Sequence, residues 1–137
     1  MILLDTNVIS ELMKPVPDAM VERWFLLNEA DCRISAVSIG ELAYGIARLD
    51  ESKRKAKLGE QLTGWRLRYG DRTCMFDTAA AMTYGDILAA ARRAGRPMSL
   101  PDAQIAAIAD HQGCRLATRN VRDFEVSGLD LIDPWQG

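Results

Sequence analysis

Apolar positions along this chain recur in two spacings. Short apolar runs fall at Ile2–Leu4, Cys32–Ser35, Thr73–Phe76, Arg115–Thr118 and Leu129–Ile132. Between them lie longer stretches in which apolar residues return every three or four positions. Runs of three or four residues suit strands buried on both faces, as in a parallel sheet. Alternation of such strands with helical patterns predicts an α/β chain, a parallel sheet with covering helices. The helical stretches are Pro17–Asn28, with Met20, Val21, Trp24 and Leu27 as its stripe and Pro17 in its first turn; Val37–Leu49, with Ile39, Leu42, Ile46 and Leu49; Ser52–Tyr69, with Leu58, Leu62, Trp65 and Tyr69; Thr78–Ala94; and Pro101–His111. Gly95 and Gly113 stand where the last two stop, as C-terminal caps do. Two helices between the second and third strands form an excursion longer than a simple crossover, suited to a hairpin arm for a partner or a lid over a site.

Composition narrows the class. A length of 137 residues suits one domain, residues 1–137, with a core of its own. Apolar residues make up 48% and charged residues 26%, as in ordinary globular proteins. No apolar stretch approaches the roughly 20 residues that cross a bilayer. The three residues Ile2–Leu4 are too short for a secretory core, so the expected location is cytoplasmic, with no membrane partner. Cys32, Cys74 and Cys114 are odd in number and far apart, and read as buried thiols. With His111 the only histidine, a zinc site has no ligand set. The net charge of −2 is not that of a globally basic nucleic-acid binder, yet basic residues cluster at 53–57, at 66 and 68, at 92–96, and at Arg119 and Arg122.

The chemistry is carried by acids at element ends. Asp5 follows the first strand directly, and ligands in open α/β sheets bind outside the carboxyl ends of strands. Glu41 opens the helix after the second strand, Asp102 opens the helix before the fourth, and Asp123 follows the fourth. Each has a purely structural reading. Asp5 suits an Asx turn. Ser38 and Glu41 match a capping box, with Glu41 bonded back to the helix start. Asp102 and Asp123 suit helix N-termini through the macrodipole. Together, however, parallel strands bring all four to one edge and one crevice. Two carboxylates about 5 Å apart at an effective dielectric near 20 repel by about 3 kcal/mol, more than first-turn dipole effects return. Such a cluster either holds protons or binds a cation. Oxygen donors with Thr6, Thr118 and Asn120 nearby suit Mg²⁺ or Mn²⁺, whose chemistry is the hydrolysis of phosphodiesters. Arg119 and Arg122 then serve to hold the substrate backbone. A binding module without catalysis stays open as an alternative. An aspartyl-nucleophile phosphohydrolase wants a second aspartate at the position of Asn7, and no G-x-G-x-x-G or P-loop is present.

The segments Leu3–Asn7, Ser38–Leu42, Pro101–Ala107 and Ala117–Phe124 resemble the PIN-domain family. The whole chain, Ile132–Trp135 included, looks more narrowly like a VapC-type toxin of the FitB-like branch. That resemblance implies a three-layer α/β/α fold with a central parallel sheet and a Mg²⁺- or Mn²⁺-dependent endoribonuclease of a toxin–antitoxin pair. It maps the acidic motif onto Asp5, Glu41 and Asp102, with Asp5 and Asp102 as metal ligands and Glu41 and Asp123 acting directly or through water. Many relatives carry an aspartate where this chain has Asn120. The fourth acidic role is therefore assigned to Asp123, three residues on, with Asn120, Thr6 and Thr118 supporting. The resemblance also implies a homodimer, an RNA substrate, and a cognate antitoxin with a ribbon-helix-helix-like domain, through which most DNA contact would pass.

Overall fold

In the computed structural model, which describes residues 1–137, five parallel strands lie in the order β3-β2-β1-β4-β5. They are β1 (Ile2–Leu4), β2 (Cys32–Ser35), β3 (Thr73–Cys74), β4 (Arg115–Ala117) and β5 (Leu131–Ile132). Seven helices surround them: α1 (Thr6–Leu12), α2 (Ala19–Asn28), α3 (Ala36–Ala47), α4 (Lys53–Arg68), α5 (Thr78–Arg93), α6 (Leu100–Gln112) and α7 (Val121–Phe124). The order of strands reverses between β1 and β4, which pair with Leu4 opposite Ala117. A crevice opens at such a switch point beyond the strands' carboxyl ends. Asp5 and Thr118 are the next residue on either side of it, and the Asp5 amide extends the ladder to the Ala117 carbonyl at 2.9 Å.

The sheet has a core on each face, which is why β1 is apolar at every position. Ile2 and Leu4 join Val8, Ile9, Val21, Trp24, Phe25, Leu62 and Tyr69 on one side. Leu3 joins Ala103, Ile105, Ala106, Ile108, Leu116 and Phe124 on the other. Together these make the parallel sheet with covering helices expected from the alternation of elements, in the three-layer α/β/α arrangement that the family resemblance implied. Alanine dominates the buried face of α6, where a small side chain lets helix and sheet approach closely. All three cysteines are buried and free. No helix is long and apolar enough to cross a membrane.

Several boundaries differ from the sequence reading. Pro17 lies outside α2, because the Asp18 side chain caps that helix by accepting from the Met20 and Val21 amides at 2.9 and 3.3 Å. Leu27 is 77% exposed, and Phe25 takes its place in the stripe. α3 is capped by Ser35, three residues before the Ser38 of the proposed capping box, so Glu41 lies in its second turn and does not open it. β3 ends at Cys74, and β5 starts at Leu131. Two short helices, α1 and α7, replace what had no assigned structure; α7 spans four residues and α1 seven, about two turns, too short for a periodic pattern. The α3–α4 excursion is no free arm: Leu62 and Tyr69 are buried in the core, with Ile39, Leu42, Leu58 and Trp65 packed against it. Gly113 ends α6 in the left-handed conformation, at φ 66°, as a C-terminal cap requires.

Candidate active site

The candidate site is built around a carboxylate that hardly meets water. Asp5 is 4% exposed and serves as the N-cap of α1. Its Oδ1 accepts from the Thr6 amide at 2.8 Å, and its Oδ2 accepts from the Thr118 hydroxyl at 2.7 Å. Thr118 is itself fully buried. Its oxygen accepts from the Asn120 amide at 3.0 Å and, at 3.5 Å, from the Asn7 side chain. Asn7 in turn accepts the Arg119 amide at 3.3 Å. The loop after β4 is thus tied to the start of α1, across the switch point, by a chain of bonds that reaches Asp5 through Thr118.

A second set of bonds runs to Glu41. The Thr6 hydroxyl donates to Glu41 Oε1 at 2.7 Å and lies 2.8 Å from the Ser38 hydroxyl. Ser35 donates to Ser38 at 3.3 Å and also accepts the Ser38 amide at 3.0 Å, as the cap of α3. Ser35 and Ser38 are fully buried. Glu41 therefore does not bond back to its own helix start, as the capping-box reading had it, but reaches across to α1. Ser35, Ser38 and Asn7 had no place among the predicted site residues. The signal for the first two was the spacing Ser35, Ser38, Glu41, three residues apart on one face of a helix.

Asp102 sits in the first turn of α6 beneath its cap, with its amide donating to Ser99 Oγ at 3.3 Å. Asp123 lies in α7, where its amide donates to the Asn120 carbonyl at 2.9 Å. Asn120 caps α7 in position only, since its side chain makes no capping bond. Asp102, Asp123 and Arg122 line one cavity of about 390 Å³, together with Arg96 and Ser99. Thr6 and Glu41 border another, of about 560 Å³, between α1, α3 and α4. The acids thus border two openings, with the buried Asp5 set against the charges of both Glu41 and Asp102. Arg122 stands with the acids, held by Arg96, whose guanidinium donates to the Arg122 carbonyl at 2.5 Å. Arg119 does not line that cavity; its guanidinium lies 5.1 Å from the centre of the Trp135 ring.

Electrostatics joins the acids. Burial pushes the Asp5 carboxyl up from 3.8 to about 6, against the lowering effect of its two hydrogen bonds, and the charges of Asp102 and Glu41 add to the rise. Asp102 is also raised, by burial first and then by the charges of Asp123 and Glu41, while the Ser99 bond opposes. Asp102 thus senses Asp123 and Glu41 and itself raises Asp5. No three acid, histidine or cysteine side chains converge closely enough to ligate one ion as they stand. The donors are all oxygens, the kind of set that accepts a hard cation and not a soft one.

Comparison with known proteins gives one consistent result. Residues 2–127 match the model of the PIN domain. The chain is 38% identical to the VapC ribonuclease Y4jK of Sinorhizobium fredii, over 99% of both chains. It is 36% identical to the toxin FitB of Neisseria gonorrhoeae, over 98% of this chain and 99% of that one. Among solved structures, FitAB bound to an IR36 DNA fragment superposes with a TM-score of 0.89 at 34% identity, covering 98% of this chain and 96% of that chain.

Proposed function

Since this chain belongs to the PIN domain family, we propose that it is a metal-dependent endoribonuclease and the toxin of a toxin–antitoxin pair. The observation that carries the proposal is the buried Asp5, placed at the switch point with the charges of Asp102 and Glu41 against it. A folded chain keeps such a cluster at a cost in stability, and the cost is offset when a cation binds. Asp5 and Asp102 would hold Mg²⁺ or Mn²⁺, with Glu41 and Asp123 reaching it directly or through water. Bound there, the ion would lower the pKa of a water and neutralise charge on the scissile phosphate.

The protein's own groups do the rest. Thr118 and the Thr6 amide fix the orientation of Asp5, so that its carboxylate loses little freedom on binding. The Thr6 hydroxyl holds Glu41 by one oxygen and leaves Oε2 without a partner, free to take the proton of the attacking water. Arg122, beside Asp102 and Asp123, meets the phosphate backbone of the substrate. Arg119 contacts the substrate only from the rim, beside Trp135.

The partner in this reading is a cognate antitoxin with a ribbon-helix-helix-like domain, which would carry most of the DNA contact; the likeness to FitAB bound to DNA supports it. An arginine from that partner would compete with metal for the acids. The toxin itself is proposed to be a homodimer. A non-cutting binding module is favoured by one observation, the absence of any preformed three-ligand group. Incubation with structured RNA in Mg²⁺ or Mn²⁺ separates the two. Wild type should cut and Asp5→Asn should not; no cleavage by wild type, or equal cleavage by the variant, refutes the nuclease.

A further inference from the structure

The opening beside Glu41 has a charge pattern that catalysis does not explain. It runs from Thr6 and Glu41 along α1 and between α3 and α4, and its volume is about 560 Å³. Four cations line it, Lys14, Arg48, Arg54 and Lys57, against the single acid Glu41, in a chain of net charge −2. Lys14 is held by Glu11 at 2.9 Å. Arg48, Arg54 and Lys57 are exposed and have no acidic partner. Their neighbour Lys55 shows the alternative, since it is bound to Glu51 at 2.7 Å and does not line the groove. Arg54 and Lys57 lie one turn apart on α4, and Arg48 is the C-cap of α3, so the three gather around one helix–helix turn.

Unpaired cations held together in a groove repel one another, and a polyanion relieves that repulsion. The floor is aliphatic, with Leu42, Ile46 and Leu58, and no aromatic ring lines it. Base stacking of the kind that anchors single strands is therefore missing, and contact falls to the phosphates. We propose that this groove is the track of the RNA strand on one side of the scissile phosphate, with Arg48, Arg54 and Lys57 as its phosphate contacts. The proposal rests on the ribonuclease reading and gives it a path and a sequence-tolerant grip.

The test is fluorescence anisotropy with a labelled single-stranded RNA of mixed sequence, in EDTA, from about 50 to 200 mM salt, on the full chain. Each phosphate contact to a single strand contributes about 0.7 to the slope of log K against log salt. The triple variant Arg48→Ala, Arg54→Ala, Lys57→Ala should have a slope shallower by about 2. Its affinity at low salt should drop by about tenfold or more. The charge-keeping triple Arg48→Lys, Arg54→Lys, Lys57→Arg should retain most of both. Arg92→Ala with Arg93→Ala, exposed at the end of α5, should change neither. Wild-type affinity and slope in the alanine triple overturn the track and leave the groove to a protein partner. A wild type that neither binds nor cuts RNA overturns the ribonuclease reading itself.

Discussion

Asp5→Asn should make the metal-free protein more stable at neutral pH. The wild-type carboxyl titrates near 6 in the folded chain against 3.8 in the unfolded one. Between those values the folded state holds a proton that the unfolded state has lost. Stability is therefore undiminished below about pH 4, falls as the pH rises, and is fully reduced above about pH 6. At 1.36 kcal/mol per factor of ten, ionising Asp5 costs about 3 kcal/mol at pH 7.5. The amide carries no charge and still accepts the Thr6 amide proton through its oxygen. Its NH₂ can donate to the Thr118 oxygen, in place of the bond now accepted from Thr118. An imperfect exchange there loses about 1 kcal/mol, which leaves a net gain of about 2 kcal/mol. With a urea m-value near 2 kcal/mol/M, the midpoint should rise by about 1 M at pH 7.5 and, with the charge gain nearly gone and the bond loss remaining, fall by about 0.2 M at pH 4. The assay is urea unfolding followed by circular dichroism, in EDTA, at pH 4, 5.5 and 7.5. A variant equal to or weaker than wild type at pH 7.5, or a gain that did not depend on pH, would refute the reasoning.

Other residues give further expectations. Thr118→Val removes the donor to Asp5 and leaves the Asn120 amide without its acceptor; unfolding should show a loss of about 1–3 kcal/mol, and the acid limb of the cleavage profile should move to higher pH. Asp123→Asn should lower RNA cleavage by at least about tenfold while Asn120→Ala changes it by only a few-fold, since a charge near the scissile phosphate is worth a few kcal/mol and a neutral contact less; the reverse order would give Asn120 the fourth role. Arg72 donates to the Glu29 and Cys32 carbonyls at 3.0 and 3.1 Å and lies 4.2 Å from the Tyr69 ring centre. Arg72→Ala should therefore destabilise by about 2–4 kcal/mol in thermal melts while cleavage by the folded fraction stays intact.

Much of the site was readable because it follows from topology. A strand as short as Ile2–Leu4, apolar throughout, forces its next residue to the sheet edge, and Asp5 is there. Asp102 and Asp123 stand near the same edge because helices that follow or precede parallel strands have ends there, whereas Glu41 lies in the second turn of α3 and reaches back to α1 through Thr6. What sequence did not disclose depends on which hydroxyl meets which acid. Ser38 looked like a cap for its own helix because the capping spacing is local, whereas the structure uses Ser35 for that and aims Ser38 at Thr6 on another helix. Thr118 was visible only as a nearby hydroxyl; its bond to Asp5 spans the chain. Asn7 was overlooked because its partners, Thr118 and the Arg119 amide, come from the far end of the sequence. The division into two openings depends on how α3 and α4 fold back onto the core, which helical periodicity does not specify. Arg119 and Arg122 are three residues apart, yet the α7 turn points one to the acids and the other to Trp135.

Four acids from separate helices act as one cation-holding centre in this account, and calorimetric titration with Mn²⁺ tests that most directly. Wild type and Asp102→Asn would be compared at pH 7.5 and at pH 5.5, without RNA. Asp102 is the acid that senses Asp123 and Glu41 and also raises Asp5, so its amide should weaken binding by about tenfold or more. Wild-type affinity should fall between pH 7.5 and 5.5 as Asp5 takes up its proton and competes with the metal. No binding to wild type, equal binding by Asp102→Asn, or an affinity flat across that pH range would contradict the claim.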